Sequence, residues 1–402
     1  MSTRAEVLRR GRAAVAAVVV VLTAAPVAAD WWEVYRADAA FDLESAREIA
    51  LTAVTEDPTS HDAVAAAGWW YKNLGNLPDP MEIVRAAGDG PRDPELAFLL
   101  ARIESPADRP PAGSLPICEI AGPFGMFEVL DLDRDAVPAD RDLPPMGTPW
   151  RGVTSSYRLR VRTASGTIAP PESMSVGGVF LAAWTVAAAE DVDGWLVMEA
   201  QGGANLFVDD RPVARLRACG QIDPGVSWYR ARLKGGRHRI RVVMGSPQVP
   251  RVRVSLYDDH GRPMDVQILE GDQGPWAGSS VEPAEPPAAA VLTHQLVDGG
   301  EVPGLLEAAA LFEGRADPLK QRSWLEEALS SAPEDPWPHL ALAWYFLTQP
   351  TGNDPQVDLR QAREELRGCR GIPVARLVEH ELASREQRAD DAERILYELV
   401  EQ

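Results

Sequence analysis

Residues 233–264 read LKGGRHRIRVVMGSPQVPRVRVSLYDDHGRPM, and their rhythm decides the fold of the middle of the chain. Arg237, Arg239 and Arg241 alternate with Ile240 and Val242, and Arg251 and Arg253 repeat the pattern. A side-chain period of two puts the arginines of each run on one strand face and the aliphatics on the other. Gly235-Gly236 ahead of the first run is a natural hairpin turn. Moving outward, short alternating runs recur as YRLRVR (157–162), GVFLAAWTV (178–186), GWLVMEA (194–200), NLFVDDRPVARL (205–216) and SWYRARL (227–233). Gly and Pro punctuate them, and Asp209-Asp210 supplies a second hairpin turn. Short strands at roughly ten-residue spacing with turn signals between them predict an antiparallel β-sandwich or jelly roll. We place it at 113–270.

Both flanks change period. FDLESAREIALTAVTEDP (41–58) sets Phe41, Ala46, Ile49, Ala50, Ala53 and Val54 on one helical face, with Asp42 as N-cap and Pro58 as terminator. SHDAVAAAGWWYKNLG (60–75) restarts a helix. In LEEALSSAPEDPWPHLALAWYFL (325–347), Ala328 and Pro333 keep the same small-residue-to-proline offset as Ala53 and Pro58, and Leu342, Ala343 and Phe346 follow. Two further helices are expected near Val357–Arg367 and Val374–Leu399. Small residues let paired helices approach, and aromatics fill the space between pairs. The fold class predicted is therefore multidomain α+β, with tetratricopeptide-like helical segments at 30–112 and 291–402 flanking the β-sandwich. GDQGPWAGSSVEPAEPPAAA (271–290) reads as a Pro/Ala/Gly-rich linker.

The N-terminus reads as a secretory signal over 1–29. Arg4, Arg9, Arg10 and Arg12 form a basic region, Ala13–Ala25 is apolar, and Val27 and Ala29 are the small residues of a cleavage site after Ala29. A periplasmic or secreted protein with no membrane span after cleavage is the expectation. The chain carries 60 acidic against 40 basic residues, a formal net charge of −20. That balance excludes general nucleic-acid binding. The acid excess lies in the two helical flanks, whereas the β region carries a basic excess.

Gly122-Pro-Phe124, GGVFLAAWTV, NLFVDDRPV, WYRARLKGGRHRIRVVM and VSLYDDHGRPM together resemble the β-domains of large exported bacterial proteins. In those, a signal peptide is followed by tetratricopeptide helices and often by a transglutaminase-like peptidase module. The β rhythm is similar to protective-antigen-type and glycosidase-associated jelly rolls, which bind sugars or act as spacers. The protective-antigen type binds calcium through an Asp-Asp pair. Gln201-Gly202 stand in its place here, so the resemblance implies neither the calcium nor the sugar site.

Reactive groups are few in kind. His61, His238, His260, His294, His339 and His380 lack metal-ligand spacing, and His380 lacks the second histidine of a zinc helix. Asp209-Asp210 and Asp258-Asp259 are adjacent acids that can hold calcium, but paired acids are common in tight turns. Asp131, Asp133 and Asp135 have partial calcium-loop spacing without its glycine and terminal glutamate. No nucleophile elbow, phosphate loop or dinucleotide fingerprint occurs. No cofactor and no metal are expected. Of the three cysteines, Cys118 and Cys219 can bridge strands or stay as buried thiols. Trp31-Trp32 and Trp69-Trp70 each point neighbouring rings about 100° apart, one to a helix core and the next partly outside.

Charge placement is the strongest signal. Arg158, Arg160 and Arg162 alternate with Leu159 and Val161 as the later runs do. If the strands share a sheet, these with Arg237, Arg239, Arg241, Arg251 and Arg253 form a basic face. Such a face can pack against the protein's own acidic helices, stay solvated, or bind an anionic partner. The resulting expectation is an exported, non-enzymatic binding or scaffolding protein of the bacterial envelope, its helical faces contacting a protein partner. The alternatives are a module for an anionic glycan and a non-catalytic companion of an exported transglutaminase-like peptidase.

Overall fold

The structure, a computed structural model, describes residues 31–105, 109–124, 157–170, 178–219, 225–246, 249–271, 274–295, 301–311, 313, 318–349, 354–369 and 371–400. The segment read as a secretory signal, 1–29, and the acidic positions Asp131, Asp133 and Asp135 lie outside these residues.

The N-terminal helices are α1 (Trp31–Ala39), α2 (Leu43–Glu56), α3 (His61–Lys72), α4 (Glu82–Ala87) and α5 (Pro94–Glu104). Their starts follow capping chemistry, in which a side-chain oxygen satisfies a first-turn N–H left without a helical partner. Asp42 accepts from the Ser45 N–H at 3.1 Å, as expected from sequence, and Ser60 accepts from the Ala63 N–H at 3.1 Å. Asp93 caps α5, where Pro94 at the first position lacks the N–H that the helix cannot use there.

Among the described residues ten strands follow: β1 (Ile117–Gly122), β2 (Tyr157–Arg162), β3 (Gly178–Ala188), β4 (Val192–Val208), β5 (Arg211–Cys219), β6 (Gly225–Leu233), β7 (Gly236–Ser246), β8 (Arg251–Asp258), β9 (Val266–Leu269) and β10 (Ser279–Pro283). All pair antiparallel in a sheet of order β10-β6-β4-β7-β3-β1-β2, with β5 and β8 also on β4 and β9 on β3, and the sheet does not close. The predicted turn pairs fall at the β4–β5 and β6–β7 junctions, and Asp209 and Asp210 both have positive φ, 47° and 67°.

Strand β4 is longer than either run seen in the sequence because it serves both halves of the sheet. Val192–Ala200 pairs with β6 and Gly194–Gln201 with β8, whereas Gly203–Val208 pairs with β7. At the switch, Gly202 has φ +96°, and a Cβ there would lie 2.4 Å from the Gly245 carbonyl oxygen. Only glycine permits that approach. The two halves then bury one apolar core, Phe180, Trp184, Ile240 and Val242 from one and Leu196, Met198, Tyr229 and Val254 from the other. Trp184 is fully buried, and its indole N–H donates to the Leu115 carbonyl at 2.9 Å. Burying one such side chain is worth about 1.5–3 kcal/mol.

The outer face of the β6–β8 half carries α5. Ala97 and Phe98 pack on Trp195, Val197, Trp228 and Tyr257, with Phe98 edge-on to Trp228 at 5.7 Å.

The C-terminal helices are α6 (Pro287–Gln295), α7 (Val302–Leu311), α8 (Pro318–Ser331), α9 (Pro336–Thr348), α10 (Pro355–Leu366), α11 (Ala375–Arg385) and α12 (Ala389–Val400). They are not a separate body. Val34, Ala50 and Trp70 share a single buried cluster with Leu305, Leu325 and Tyr345. Trp32 meets Trp337 edge-on at 5.5 Å, and the Val374 N–H donates to the Ala39 carbonyl at 3.2 Å. The two helical segments thus meet across one core, with the sheet inserted between them in sequence.

Two sequence readings are corrected here. The stretch 271–290 is not a free linker: β10 pairs with β6, Trp276 donates to Asp210, and Ala288 and Ala289 are buried. Pro283 falls at the strand end and Pro287 begins α6, where a missing N–H costs little. The single helix expected over Val374–Leu399 is two, because Gln387 turns the chain at φ +60° and Ala383 packs back on Ala392 and Ile395. Among the described residues no helix is long and apolar enough to cross a membrane.

Candidate functional site

The arginine runs of β2 and β7 do leave one side of the sheet, the side away from the shared core. Register sets Arg160, Glu119, Ala183, Arg241 and Phe207 in one row across β2, β1, β3, β7 and β4. Arg251 and Arg253 stand on β8 in the other half, so the eight residues do not form one face. At least half of them, Arg158, Arg160, Arg239 and Arg253, pair with carboxylates of the sheet and its turns. Arg158 donates to Glu119 at 2.5 Å, Arg160 pairs with Glu270, and Arg239 pairs with Asp210. Arg239 and Arg241 are each 2% exposed, and Arg237 is half-buried. Arg160, Arg162 and Arg251 are the exposed members. Sequence alternation fixed the face but could not show the acids, because Glu119, Asp210 and Glu270 belong to other strands and loops.

At the β4–β5 turn a buried charge cluster forms. His238 Nδ1 lies 2.8 Å from Asp209 Oδ2, and its Nε2 lies 2.6 Å from the Lys234 carbonyl. Both partners only accept, so both ring nitrogens donate and the ring is an imidazolium. Burial works against that charge, but the Asp209 carboxylate and the Lys234 carbonyl outweigh it and raise the His238 pKa. Burial opposes the Asp209 charge too, yet hydrogen bonds from His238, the Arg239 N–H and Ser279 hold its carboxyl below the usual range. Asp210 accepts from the Trp276 indole at 3.1 Å, and the Arg239 guanidinium lies 4.7 Å from the centroid of that ring.

A second buried cluster joins sheet to helices. Glu199 on β4 receives Arg253 of β8, with Nη2 at 2.7 Å from Oε1, and Arg102 of α5 approaches at 3.6 Å. Arg102 also stacks on Tyr71 of α3, 4.1 Å from its centroid. This is where an acidic-versus-basic contact between layers does occur, and its signs are reversed: a helix supplies an arginine and the sheet the acid.

The adjacent-acid pairs act as turn residues. Asp258 accepts from the His260 and Arg262 N–H groups at 2.9 and 2.8 Å. Arg230 beside Asp259 holds that carboxyl below its usual range, and the Trp195 indole donates to it at 3.1 Å. His339 sits between Glu365 and the Pro333 carbonyl, and His380 Nδ1 lies 3.0 Å from the Ala392 carbonyl. Cys118 and Cys369 are buried free thiols. Burial, with Glu119 next in sequence, pushes the Cys118 thiol far up, and burial lifts Cys369 to about 12. A thiol so placed is not a nucleophile near neutral pH. Among the described residues one group can hold a metal: His61, Asp62 and Glu307, whose ligand atoms lie within 4.8 Å of one another. Sequence spacing gave no signal for it, because Glu307 comes from a distant helix.

The helices hold most of the exposed large apolar side chains. Among the described residues, Phe41, Leu43, Val291, Leu319, Trp344, Leu377, Leu396 and Tyr397 are in the helical segments, and only Leu159 is in the sheet. Leu319 and Tyr397 are 66% and 64% exposed. The doubled tryptophans behave as helical spacing requires only in part: Trp31, Trp69 and Trp70 are buried, and Trp32 is half-buried against Trp337.

No protein family and no curated protein matches this chain. Among solved structures, a β-glucosidase from Kluyveromyces marxianus in complex with glucose is similar at 12% identity, over 45% of this chain and 18% of that one, with a TM-score of 0.16.

Proposed function

We propose that this chain is an exported, non-enzymatic binding or scaffolding protein of the bacterial envelope, in which the helical layer meets a protein partner and the β-domain, a sandwich of jelly-roll type, holds that layer rigid. The observation that carries the reading is the exposed apolar set concentrated on the helices, Leu319, Trp344 and Tyr397 foremost. Large apolar and aromatic side chains supply much of the affinity at protein interfaces. The packing of α5 on the sheet and the shared core of both helical segments support a rigid presenting surface. Non-enzymatic work is supported by the placement of His238 and the two buried thiols in structural pairings or apolar core. The small-residue contacts at Ala46, Ala53, Ala328 and Ala343 support tetratricopeptide-like helix pairing.

An anionic glycan bound to the arginines has less support, since Arg158, Arg239 and Arg253 already pair with Glu119, Asp210 and Glu199. The test is co-precipitation from envelope extract at low and high salt, with wild type beside two variants. One carries Leu319→Ser, Trp344→Ser and Tyr397→Ser, and the other carries Arg160→Ser, Arg162→Ser and Arg251→Ser. The expected result is a protein retained in high salt and lost only from the first variant. Loss from the arginine variant alone, with salt sensitivity, would overturn the helical reading.

A further inference from the structure

The helical segments meet across an apolar core and through several polar contacts, and one of those contacts has the composition of a metal site. His61 and Asp62 are the first residues of α3, and Glu307 lies in the middle of α7. We propose that these three side chains bind one divalent transition-metal ion, zinc being the best fit, which ties the N-terminal helices to the C-terminal helices.

Spacing is the first argument. His61 Nε2 lies 3.5 Å from Glu307 Oε1 and 3.9 Å from Asp62 Oδ2. A hydrogen bond between such atoms would close to about 2.7–3.2 Å. Two donors on a tetrahedral ion with bonds of about 2.0–2.1 Å stand about 3.4 Å apart. The observed separations are nearer those of ligands sharing an ion than those of directly bonded partners.

Orientation is the second. The other oxygen of Asp62, Oδ1, accepts from the Trp31 N–H at 3.1 Å, which fixes the carboxylate while Oδ2 faces His61. That is the outer-shell support metal-binding carboxylates usually have. Glu307 is 4% exposed and comes from the buried face of α7, beside Leu306 and Ala308. A carboxylate at such depth belongs with positive charge. His61 and Asp62 are half-buried, which leaves solvent a path for ion entry and a water as fourth ligand.

The donor set then selects the ion. One imidazole and two carboxylates suit zinc, cobalt or manganese. Calcium is disfavoured, since it takes six to eight oxygens. The competing account is a plain imidazolium–carboxylate pair between His61 and Glu307. The two differ in proton dependence, because a metal needs the neutral imidazole and a salt bridge needs the charged one.

The experiment uses the whole chain after chelator treatment, titrated with zinc chloride by calorimetry at pH 6 and pH 8. Thermal melts are run in parallel. One equivalent should bind, more tightly at pH 8, and the melting temperature should rise with free zinc as expected for a ligand of the folded state. His61→Ala and Glu307→Gln should each weaken binding at least tenfold. His339→Ala, in a direct 2.7 Å pair with Glu365, should leave it unchanged. Cobalt substituted for zinc should give the visible absorption of a four-coordinate site. Should Glu307→Gln fail to fold, His61→Ala and the cobalt spectrum decide. Absence of one-equivalent binding, or binding that survives His61→Ala, overturns the site and leaves the salt bridge; neither outcome bears on the partner-binding experiment.

Discussion

Replacing Glu199 by Gln tests whether the buried charges between sheet and helices hold the fold together. The carboxylate is 2.7 Å from Arg253 Nη2 and 3.6 Å from Arg102 Nη1. Side-chain exposure is 3% for Glu199, 13% for Arg253 and 16% for Arg102, so little solvent screens them. At about 4 Å and an effective dielectric of about 20, one pair is worth about 4 kcal/mol before desolvation. Desolvation offsets much of that while the pair is intact, but removing one partner strands the other charge and costs about 3–5 kcal/mol. Since Arg253 keeps a little solvent, Glu199→Gln is expected to cost about 2–4 kcal/mol. The assay is urea unfolding, read as a lowered midpoint at an unchanged m-value. Glu199→Leu combined with Arg253→Leu should cost clearly less than the two single changes added together, because neither member of that pair is then stranded and only Arg102, which stacks on Tyr71, loses its approach to the carboxylate. A loss below about 1 kcal/mol for Glu199→Gln, or strict additivity in the cycle, would refute the reasoning.

Three further outcomes are expected. Asp93→Ala should cost about 2–4 kcal/mol, from a lost N-cap and a stranded Ala288 N–H that now bonds Asp93 at 3.0 Å; urea midpoints check it, and a change under 0.5 kcal/mol would contradict it. His238 has a raised folded pKa, so its contribution is complete below about 6.5 and is lost as pH rises through the raised value. Wild type should therefore lose stability above about pH 6.5 more steeply than His238→Gln, and equal slopes would dismiss the imidazolium. Gly194→Ala would set a Cβ 2.1 Å from the Tyr257 carbonyl oxygen, within the β4–β8 ladder. The strand must shift there, so a loss of about 3 kcal/mol or more is expected. A variant melting with wild type would show that the ladder yields.

Period and turn chemistry in the sequence determined the elements. Alternating runs marked the middle strands, Asp209-Asp210 and Gly235-Gly236 marked their hairpins, and Asp42 and Pro58 marked the ends of α2, because these signals act over a few residues. Strand alternation also placed the arginines of β2 and β7 on one side. Tertiary structure decided everything that depends on residues distant in the chain. The fusion of two runs into β4 rests on a Gly202 backbone approach to Gly245, and β10 in the supposed linker exists only because β6 offers an edge. The joining of both helical segments in one core likewise depends on packing rather than local pattern. The same holds for charge: Arg239 and Arg253 were legible as arginines on strands, but Asp210 and Glu199 reach them through a turn and a neighbouring strand. His61, Asp62 and Glu307 come together only across the α3–α7 seam. Local propensity acts over a turn or a strand, whereas neutralisation and ligand geometry act through space, and only the folded chain brings those groups within range.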